Sequence, residues 1–155
     1  MWPRIPQTVW ATSVEEAVAV AIGLHGRPLV DLDGTLVPQS AGLDDVSATA
    51  PPEGVIRSIR ELGAVIVTNR RAVPARYLGL PVIGRARKPF TDARLLPDAA
   101  TIACVIGDQL MTDGLLAGRL GVPFIQVAPR GRRPWRAAIG DRVLKCLFRR
   151  KPDRD

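Results

Sequence analysis

The stretch "PLVDLDGTLVP" runs from Pro28 to Pro38 and joins an apolar segment to two aspartates. The chain reaches Asp31 and Asp33 directly after three apolar residues and then turns at Gly34. Alternate residues of a strand point to the same side, so the two carboxylates are expected to lie together at a strand end. Burying a carboxylate is costly unless it is paired or binds a metal, so this pair predicts a functional site.

Apolar strands alternate with helical segments along the rest of the chain. Strands are predicted at 27–33, 64–69, 81–84, 101–108 and 122–129, and helices at 13–26, 51–63, 70–80, 88–98, 109–121 and 134–151. The strands are continuous apolar runs, which is typical of a sheet covered on both faces. The predicted fold is α/β, a doubly wound (Rossmannoid) parallel sheet in a single domain, which binds ligands at the carboxyl ends of its strands.

Charge is distributed unevenly over the 155 residues. Residues 1–128 hold 12 basic and 12 acidic side chains, whereas residues 129–155 hold 10 basic and 3 acidic ones, so the last segment carries the whole net charge of +7. No apolar run reaches the ~18 residues of a membrane span, and the first residues do not follow the signal-peptide pattern. A cytoplasmic location is therefore expected.

Polar residues follow three of the predicted strands. Asp31 and Asp33 end the first, Thr68 and Asn69 the second, and Asp108 the fourth. Asp113 follows early in the next predicted helix. Carboxylates that converge on one sheet edge repel each other, and Mg²⁺, which prefers oxygen ligands, would relieve that repulsion.

Groups suited to phosphate complete the pattern. Thr68 offers a hydroxyl, Lys88 a point charge, and Gly34 and Thr35 a turn whose N–H groups can face an oxyanion. Carboxylates, a metal and a phosphate clamp together indicate phosphoryl transfer through a carboxylate nucleophile.

The order of these motifs resembles the haloacid dehalogenase (HAD) superfamily. The resemblance rests on "DLDGTL" for its first motif, "VIVTN" for the second, Lys88 for the third and "VIGDQLMTD" for the fourth. Over about residues 1–130, "RKP", "IGDQLMTDGLLAGRLG" and "VPFIQVAP" are similar to YqeG-type phosphatases of subfamily IIIA, a group that includes mitochondrial phosphatidylglycerophosphatases. The chain departs from that group at Gly34, where asparagine is common, and at "TNR", where Ser-Asn-Asn is frequent.

The resemblance implies a role for each of these residues, in a Mg²⁺-dependent phosphomonoesterase that forms an aspartyl-phosphate. Asp31 would be the nucleophile and Asp33 the general acid and base. Phosphate would be bound by Thr68, Asn69, Lys88 and Gly34. Mg²⁺ would be held by Asp31, the Asp33 backbone carbonyl and Asp108, with Asp113 supporting the metal or Lys88.

The spacing of the motifs leaves no room for a cap domain. Only 31 residues separate Leu36 from Thr68, and 18 separate Arg70 from Pro89. The predicted site is therefore open, with the 37–50 loop as a small flap, and suits a phosphate presented by something large. The expected substrate is phosphatidylglycerophosphate or a similar membrane-presented lipid phosphate. The alternatives are a nucleic-acid or small-molecule phosphate, and a catalytically silent HAD-like binding protein.

The domain boundary is predicted at residue 129, with a phosphatase domain at 1–129 and a basic amphipathic helix and tail at 130–155. Apolar residues such as Trp135 and Ile139 form one stripe of the 134–151 helix, and most basic residues lie off it. Such a helix can lie on an anionic bilayer, which would place the protein at the inner face of the membrane, or it can pack on the domain. Nucleic acid is the less favoured partner, and the sequence does not indicate an oligomeric state.

Overall fold

The computed structural model describes residues 7–39 and 50–131. The strands are β1 Thr8–Ala11, β2 Arg27–Val30, β3 Val65–Val67, β4 Arg76–Tyr77, β5 Leu80–Ile83, β6 Ile102–Gly107 and β7 Phe124–Val127. The helices are α1 Val14–Ile22, α2 Glu53–Glu61 and α3 Leu115–Leu120, with a π-helical turn at Leu110–Gly114 and 3₁₀ turns at Ala93–Leu95 and Ala99–Thr101.

The strands form one sheet in the order β1-β7-β6-β2-β3-β5-β4. All neighbouring pairs are parallel except β4 with β5. The predicted α/β class with a mostly parallel sheet is confirmed, in a Rossmann-like layout. The chain leaves central β2 toward β3 on one side and later returns as β6 on its other side, which is the kind of switch point where such sheets bind ligands.

Both faces of the sheet are covered, and successive residues of each central strand pack on opposite sides. In β2, Leu29 joins a cluster that includes α3, whereas Val30 joins a cluster that includes α1 and α2. Both side chains are fully buried. A strand buried on both faces has no polar position, which explains the continuous apolar runs in the sequence.

The first strand of the sheet was not predicted. Thr8–Ala11 pairs in parallel with β7 at the sheet edge and leads directly into α1. Four residues, of which Trp10 is 58% exposed, carry too little periodic signal to be identified. The helix predicted from residue 13 does begin there, because the Ser13 hydroxyl caps α1 and accepts a hydrogen bond from the Glu16 N–H at 3.3 Å.

The predicted helix at 70–80 is wrong. The second half of that segment is β4, which forms a two-residue hairpin with β5 through Leu78 and Gly79. Both turn residues have positive φ, 52° and 78°, as the favoured hairpin turns require. Pro74 lacks the N–H that a helix would need at that position, and Gly79 readily adopts the positive φ of the turn. The antiparallel pair therefore forms in place of a helix.

The predicted helix at 88–98 is also wrong. Two 3₁₀ turns replace it, and each begins at an aspartate: the Asp92 carboxylate accepts from the Arg94 N–H and that of Asp98 from the Ala100 N–H. Short side chains that bind nearby backbone groups compete with a continuous helix.

Two predictions lie outside the described residues, namely the helix at 134–151 and most of the flap at 37–50. Within 7–39 and 50–131, none of the helices combines the length and apolar character that crossing a bilayer requires.

Candidate active site

Four chain segments bring polar side chains to the carboxyl edge of the sheet. Asp31 and Asp33 follow β2, Thr68 and Asn69 follow β3, Lys88 lies in the loop after β5, and Asp108 follows β6. β2 lies between β3 and β6, so the switch point and the polar residues coincide. The structure therefore assembles most of the predicted site residues around the end of one central strand.

Lys88 is the centre of this group. Its Nζ lies 2.5 Å from Oδ1 of Asp31 and 2.5 Å from Oδ1 of Asp113. The three side chains are 4%, 7% and 1% exposed, so they form a buried ionic cluster. Burying charged groups is costly unless each is paired with an opposite charge. The stability of this cluster therefore depends on both ion pairs.

The cluster holds more negative than positive charge. Carboxylate oxygens of Asp31, Asp108 and Asp113 lie within 4.8 Å of one another, and all three residues are buried. The three acids and Lys88, all four ionised, would together have a net charge of −2. Burial raises the pKa of Asp31 well above its usual value; Asp113 adds to the shift, and Lys88 offsets only part of it.

The neighbouring carboxylates also shift the pKa of Lys88. Burial alone would lower the pKa of Lys88, but the negative charges of Asp113 and Asp31 outweigh it and raise the pKa. The lysine is therefore held as a cation. A set of three oxygen-bearing acids with excess negative charge fits a hard divalent cation such as Mg²⁺.

The acids that cluster are Asp31, Asp108 and Asp113, so the structure places Asp113 beside the two predicted carboxylate ligands. The Asp33 carboxylate contacts Arg70, and metal binding by the Asp33 backbone carbonyl stays a prediction. Asp113 was assigned only a supporting role. Its direct contact with Lys88 depends on the tertiary fold, because the two residues are 25 positions apart in the chain.

A π-helical turn at Leu110–Gly114 brings Asp113 into the cluster. Gly114 N–H bonds the Gln109 carbonyl at 3.3 Å, and the Asp113 Oδ2 accepts from the Gln109 N–H at 3.2 Å. The predicted helix at 109–121 is thus divided into this turn and α3. The extra residue in the turn lets the carboxylate fold back over Gly107, where an added Cβ would collide with it.

Asp33 is held by a residue that sequence reasoning did not assign. Arg70 contacts its carboxylate with Nε at 2.8 and 3.1 Å and with an NH2 group at 2.6 Å. The Thr68 hydroxyl also donates to Asp33, at 3.3 Å, and accepts from the Arg70 N–H. The departure at "TNR" was the available signal, since Arg70 stands where Ser-Asn-Asn has its second asparagine.

Asn69 has a defined part in this arrangement. Its Oδ1 accepts from the Lys88 N–H at 2.7 Å, and its Nδ2 donates to the Lys88 carbonyl at 3.4 Å. The side chain thus fixes the backbone of the lysine from both sides. Direct phosphate binding by Asn69 remains a prediction.

The proposed oxyanion role of the Gly34–Thr35 turn needs correction. The Gly34 N–H already donates to the Val37 carbonyl at 2.8 Å, and the Thr35 N–H points to the Leu32 carbonyl at 3.4 Å. These amides are used to close the turn. Gly34 instead provides space, because a Cβ there would lie 2.6 Å from Oδ2 of Asp108 and 2.7 Å from Oε1 of Gln39.

We expect Gly34→Ala to lower the free energy of unfolding by more than the cost of holding alanine in a left-handed conformation. The φ of Gly34 is +80°, which costs a non-glycine residue about 1–2 kcal/mol, and the collision with Asp108 adds to this. Gly63→Ala is the matched control, because Gly63 has a φ of +66° and open space around it. Urea denaturation of both variants measures the difference; equal losses would contradict the close contact with Asp108.

Gln126 in β7 and Arg130 after it support the site from its other side. The Gln126 amide donates to the Asp108 carbonyl at 3.2 Å. The Arg130 N–H donates to the Gly34 carbonyl at 2.7 Å, and its guanidinium donates to the Leu36 carbonyl at 2.5 Å. Arg130 was predicted to begin the tail, yet its contacts are with the turn that follows Asp31.

Comparisons with known proteins give limited information. No family model and no curated protein matches the chain. A solved structure of CobK precorrin-6A reductase shows 17% sequence identity with a TM-score of 0.45, over 87% of this chain and 54% of that one. The chain thus spans about half the length of that reductase, and a likeness this distant carries no argument about activity.

Proposed function

We propose that this chain is a Mg²⁺-dependent phosphomonoester hydrolase that works through an aspartyl-phosphate on Asp31. The observation that carries the proposal is the buried cluster in which Lys88 bridges Asp31 and Asp113 beside Asp108. A buried carboxylate fixed beside a cation at a ligand-binding sheet edge suits nucleophilic attack on phosphorus. The ordered HAD-like motifs support the same chemistry.

The chemistry divides into two displacements. In the first, an Asp31 carboxylate oxygen bonds to phosphorus, the bond to the substrate oxygen breaks, and Asp33 supplies the proton for the leaving alcohol. In the second, a water molecule loses its proton to Asp33 and attacks phosphorus, which releases phosphate and restores Asp31.

Lys88 and the acids around it prepare the site for this transfer. Lys88 orients Asp31 and offsets the negative charge that accumulates when a phosphate enters. Asp31, Asp108 and Asp113 are the residues that would hold Mg²⁺. When bound, Mg²⁺ would supply electrostatic stabilisation of the transferring phosphoryl group.

The Asp33–Arg70 ion pair involves the carboxylate that is proposed to carry out both proton transfers. Arg70 contacts both oxygens of the Asp33 carboxylate and so fixes its orientation. One of these oxygens must hold the proton that Asp33 gives to the leaving alcohol and later takes from water. Arg70 is therefore a positioning residue whose contact with Asp33 is expected to set the balance between the two displacements.

Leaving-group dependence tests this role. We expect Asp33→Asn to lower kcat about 100-fold or more on an alkyl phosphate and much less on p-nitrophenyl phosphate, whose leaving group needs little protonation. Arg70→Gln should lower kcat more on the alkyl phosphate than on p-nitrophenyl phosphate, and Arg70→Lys should partly restore it. Equal losses of Asp33→Asn on both substrates, with an unchanged kcat for Arg70→Gln on the alkyl phosphate, would contradict these assignments.

The proposed substrate is a lipid phosphate that is presented at a membrane. Phosphatidylglycerophosphate is the first candidate. Chain positions next to site residues expose large apolar side chains: Phe90, two positions after Lys88, is 77% exposed, and Met111, two before Asp113, is 37% exposed. Apolar side chains around a charged site suit an interface with lipid. The short spacing of the motifs supports an open, capless HAD site, which accepts a large substrate.

Hydrolysis assays test the proposal. The purified chain is expected to release phosphate from p-nitrophenyl phosphate and from phosphatidylglycerophosphate in vesicles, with Mg²⁺ required and EDTA abolishing the activity. Turnover of the aryl phosphate without turnover of the lipid would exclude the lipid and favour a small-molecule or nucleic-acid phosphate. Absence of phosphate release from a broad panel would indicate a silent binding protein.

Membrane association is tested separately. The basic last segment is proposed to bind the protein to an anionic membrane surface. At low salt, the full chain should sediment with vesicles that contain an anionic phospholipid. Raised salt should weaken this binding. A chain that fails to sediment at low salt would contradict this part of the proposal.

A further inference from the structure

A cationic cavity lies beside the candidate site and has no part in the two displacements. Its volume is about 410 Å³, and it is lined by Asn69, Arg71, Arg85 and Arg87. This volume lies within the range of small-molecule sites. Among residues 7–39 and 50–131, no acidic residue lines it, and no carboxylate forms an ion pair with any of its three guanidinium groups.

The cavity shares a residue with the candidate site. Asn69 lines the cavity and also holds the Lys88 backbone through hydrogen bonds of 2.7 and 3.4 Å. A group bound in the cavity would therefore lie next to the segment that positions Lys88. One ligand with two anionic groups is suited to such an arrangement.

The loop after β5 is fixed in position by the loop after β3. The Arg85 N–H donates to the Arg70 carbonyl at 2.7 Å, and the Ala86 N–H donates to the Thr68 carbonyl at 3.0 Å. The Arg85 Nε also donates to the Arg71 carbonyl at 3.3 Å. These contacts join the two loops into one wall, so the arginines are held near each other by backbone structure.

The same loop holds two arginines in a costly conformation. Arg85 and Arg87 have φ values of +50° and +55°, while Ala86 between them is buried. Left-handed conformations are disfavoured for residues with a Cβ, and such strain is concentrated at ligand sites. Here the strain keeps Ala86 in the core while both neighbouring arginines stay exposed beside the cavity.

We propose that this arginine cavity binds a second anionic group, a phosphodiester or a second phosphate, of the substrate whose phosphomonoester is hydrolysed at Asp31. The inference rests on the proposed function and narrows its substrate class. Lys88 is already engaged by Asp31 and Asp113, so a further anion needs other cations. Guanidinium groups match phosphate oxygens in charge and geometry.

Kinetics on substrates with one or two anionic groups test the inference. Arg71→Gln/Arg87→Gln removes the two cavity arginines whose side chains make no hydrogen bond among the described residues. We expect it to raise KM about tenfold for dihexanoyl phosphatidylglycerophosphate, which carries a phosphodiester, and to change KM for p-nitrophenyl phosphate less than about twofold. Arg57→Gln/Arg94→Gln removes the same charge elsewhere and should leave both KM values unchanged.

A terminally phosphorylated dinucleotide distinguishes the source of the second anion. A rise in KM for the lipid alone would identify a headgroup phosphodiester, and a rise for the dinucleotide alone a nucleotide phosphodiester. Either result supports the cavity as a second anion site. No rise for either substrate would overturn the inference while leaving the phosphatase intact.

A binding measurement keeps the test independent of turnover. Glycerophosphoglycerol carries a phosphodiester and no phosphomonoester, so it cannot be hydrolysed at Asp31. Titration into the ¹⁵N-labelled full chain should shift arginine Nε–H resonances in a saturable way, and the shifts should be lost in Arg71→Gln/Arg87→Gln. Saturable binding by a protein that releases no phosphate would support the cavity and refute the proposed function; absent binding would overturn the cavity.

Discussion

Asp31→Asn is expected to lower kcat for phosphate release at least about a thousandfold, because it removes the nucleophile. The folded protein should survive the change. Asp31 is one of three clustered buried acids, so replacing it reduces repulsion in the cluster while Lys88 keeps Asp113 as a partner. Activity and stability are therefore expected to separate in this variant.

Steady-state kinetics and urea denaturation in EDTA measure the two effects. The unfolding free energy of Asp31→Asn should equal or exceed that of the wild type. Asp92→Asn is a suitable control, because an asparagine at position 92 can still accept the hydrogen bond from the Arg94 N–H. A folded Asp31→Asn protein that retains more than about a tenth of wild-type kcat would refute the proposed nucleophile.

Lys88→Met should have the largest effect on stability. The substitution keeps a similar length and removes the cation that lies 2.5 Å from both Asp31 and Asp113. Removing one partner of a buried ion pair costs about 3–5 kcal/mol, since the remaining charge is left without compensation. Urea denaturation in EDTA at neutral pH measures the loss.

Two further measurements examine the cause of that loss. Mg²⁺ should stabilise Lys88→Met more than wild type, because the uncompensated acids of the variant attract a divalent cation more strongly. In Lys88→Met/Asp113→Asn, the loss should be smaller than the sum of the single losses, as expected for groups in contact. A loss below about 1 kcal/mol in Lys88→Met would show that the ionic cluster is not maintained in solution.

Much of the fold could be read from the sequence because local patterns were strong. The apolar runs before Asp31 and Asp108 have the length and composition of buried parallel strands, and Ser13 has the residue type and position of a helix cap. Prediction failed where local signals were weak or in conflict. The strand Thr8–Ala11 is short, and the hairpin at Arg76–Ile83 depends on pairing between strands.

The candidate site shows the same division. Its acids could be placed because each follows a strand, and parallel strands end at one edge of a sheet. Their partners could not be assigned in this way. The contact between Asp33 and Arg70 spans 37 positions in the chain, and that between Lys88 and Asp31 spans 57. Such pairings depend on strand order and loop geometry, which residue spacing does not encode.

In "PLVDLDGTLVP", sequence alone was enough to predict a buried strand, two acids at its end and a turn at glycine, since these follow from hydrophobicity, strand periodicity and the properties of glycine. The folded chain separated the two acids. Asp31 lies in the ionic cluster with Lys88, and Asp33 pairs with Arg70. It also revealed why position 34 is glycine, because only the packing of β6 beside β2 brings Asp108 to within 2.6 Å of where a Cβ would lie. These distances arise from long-range packing, so they become visible only when the strands are assembled.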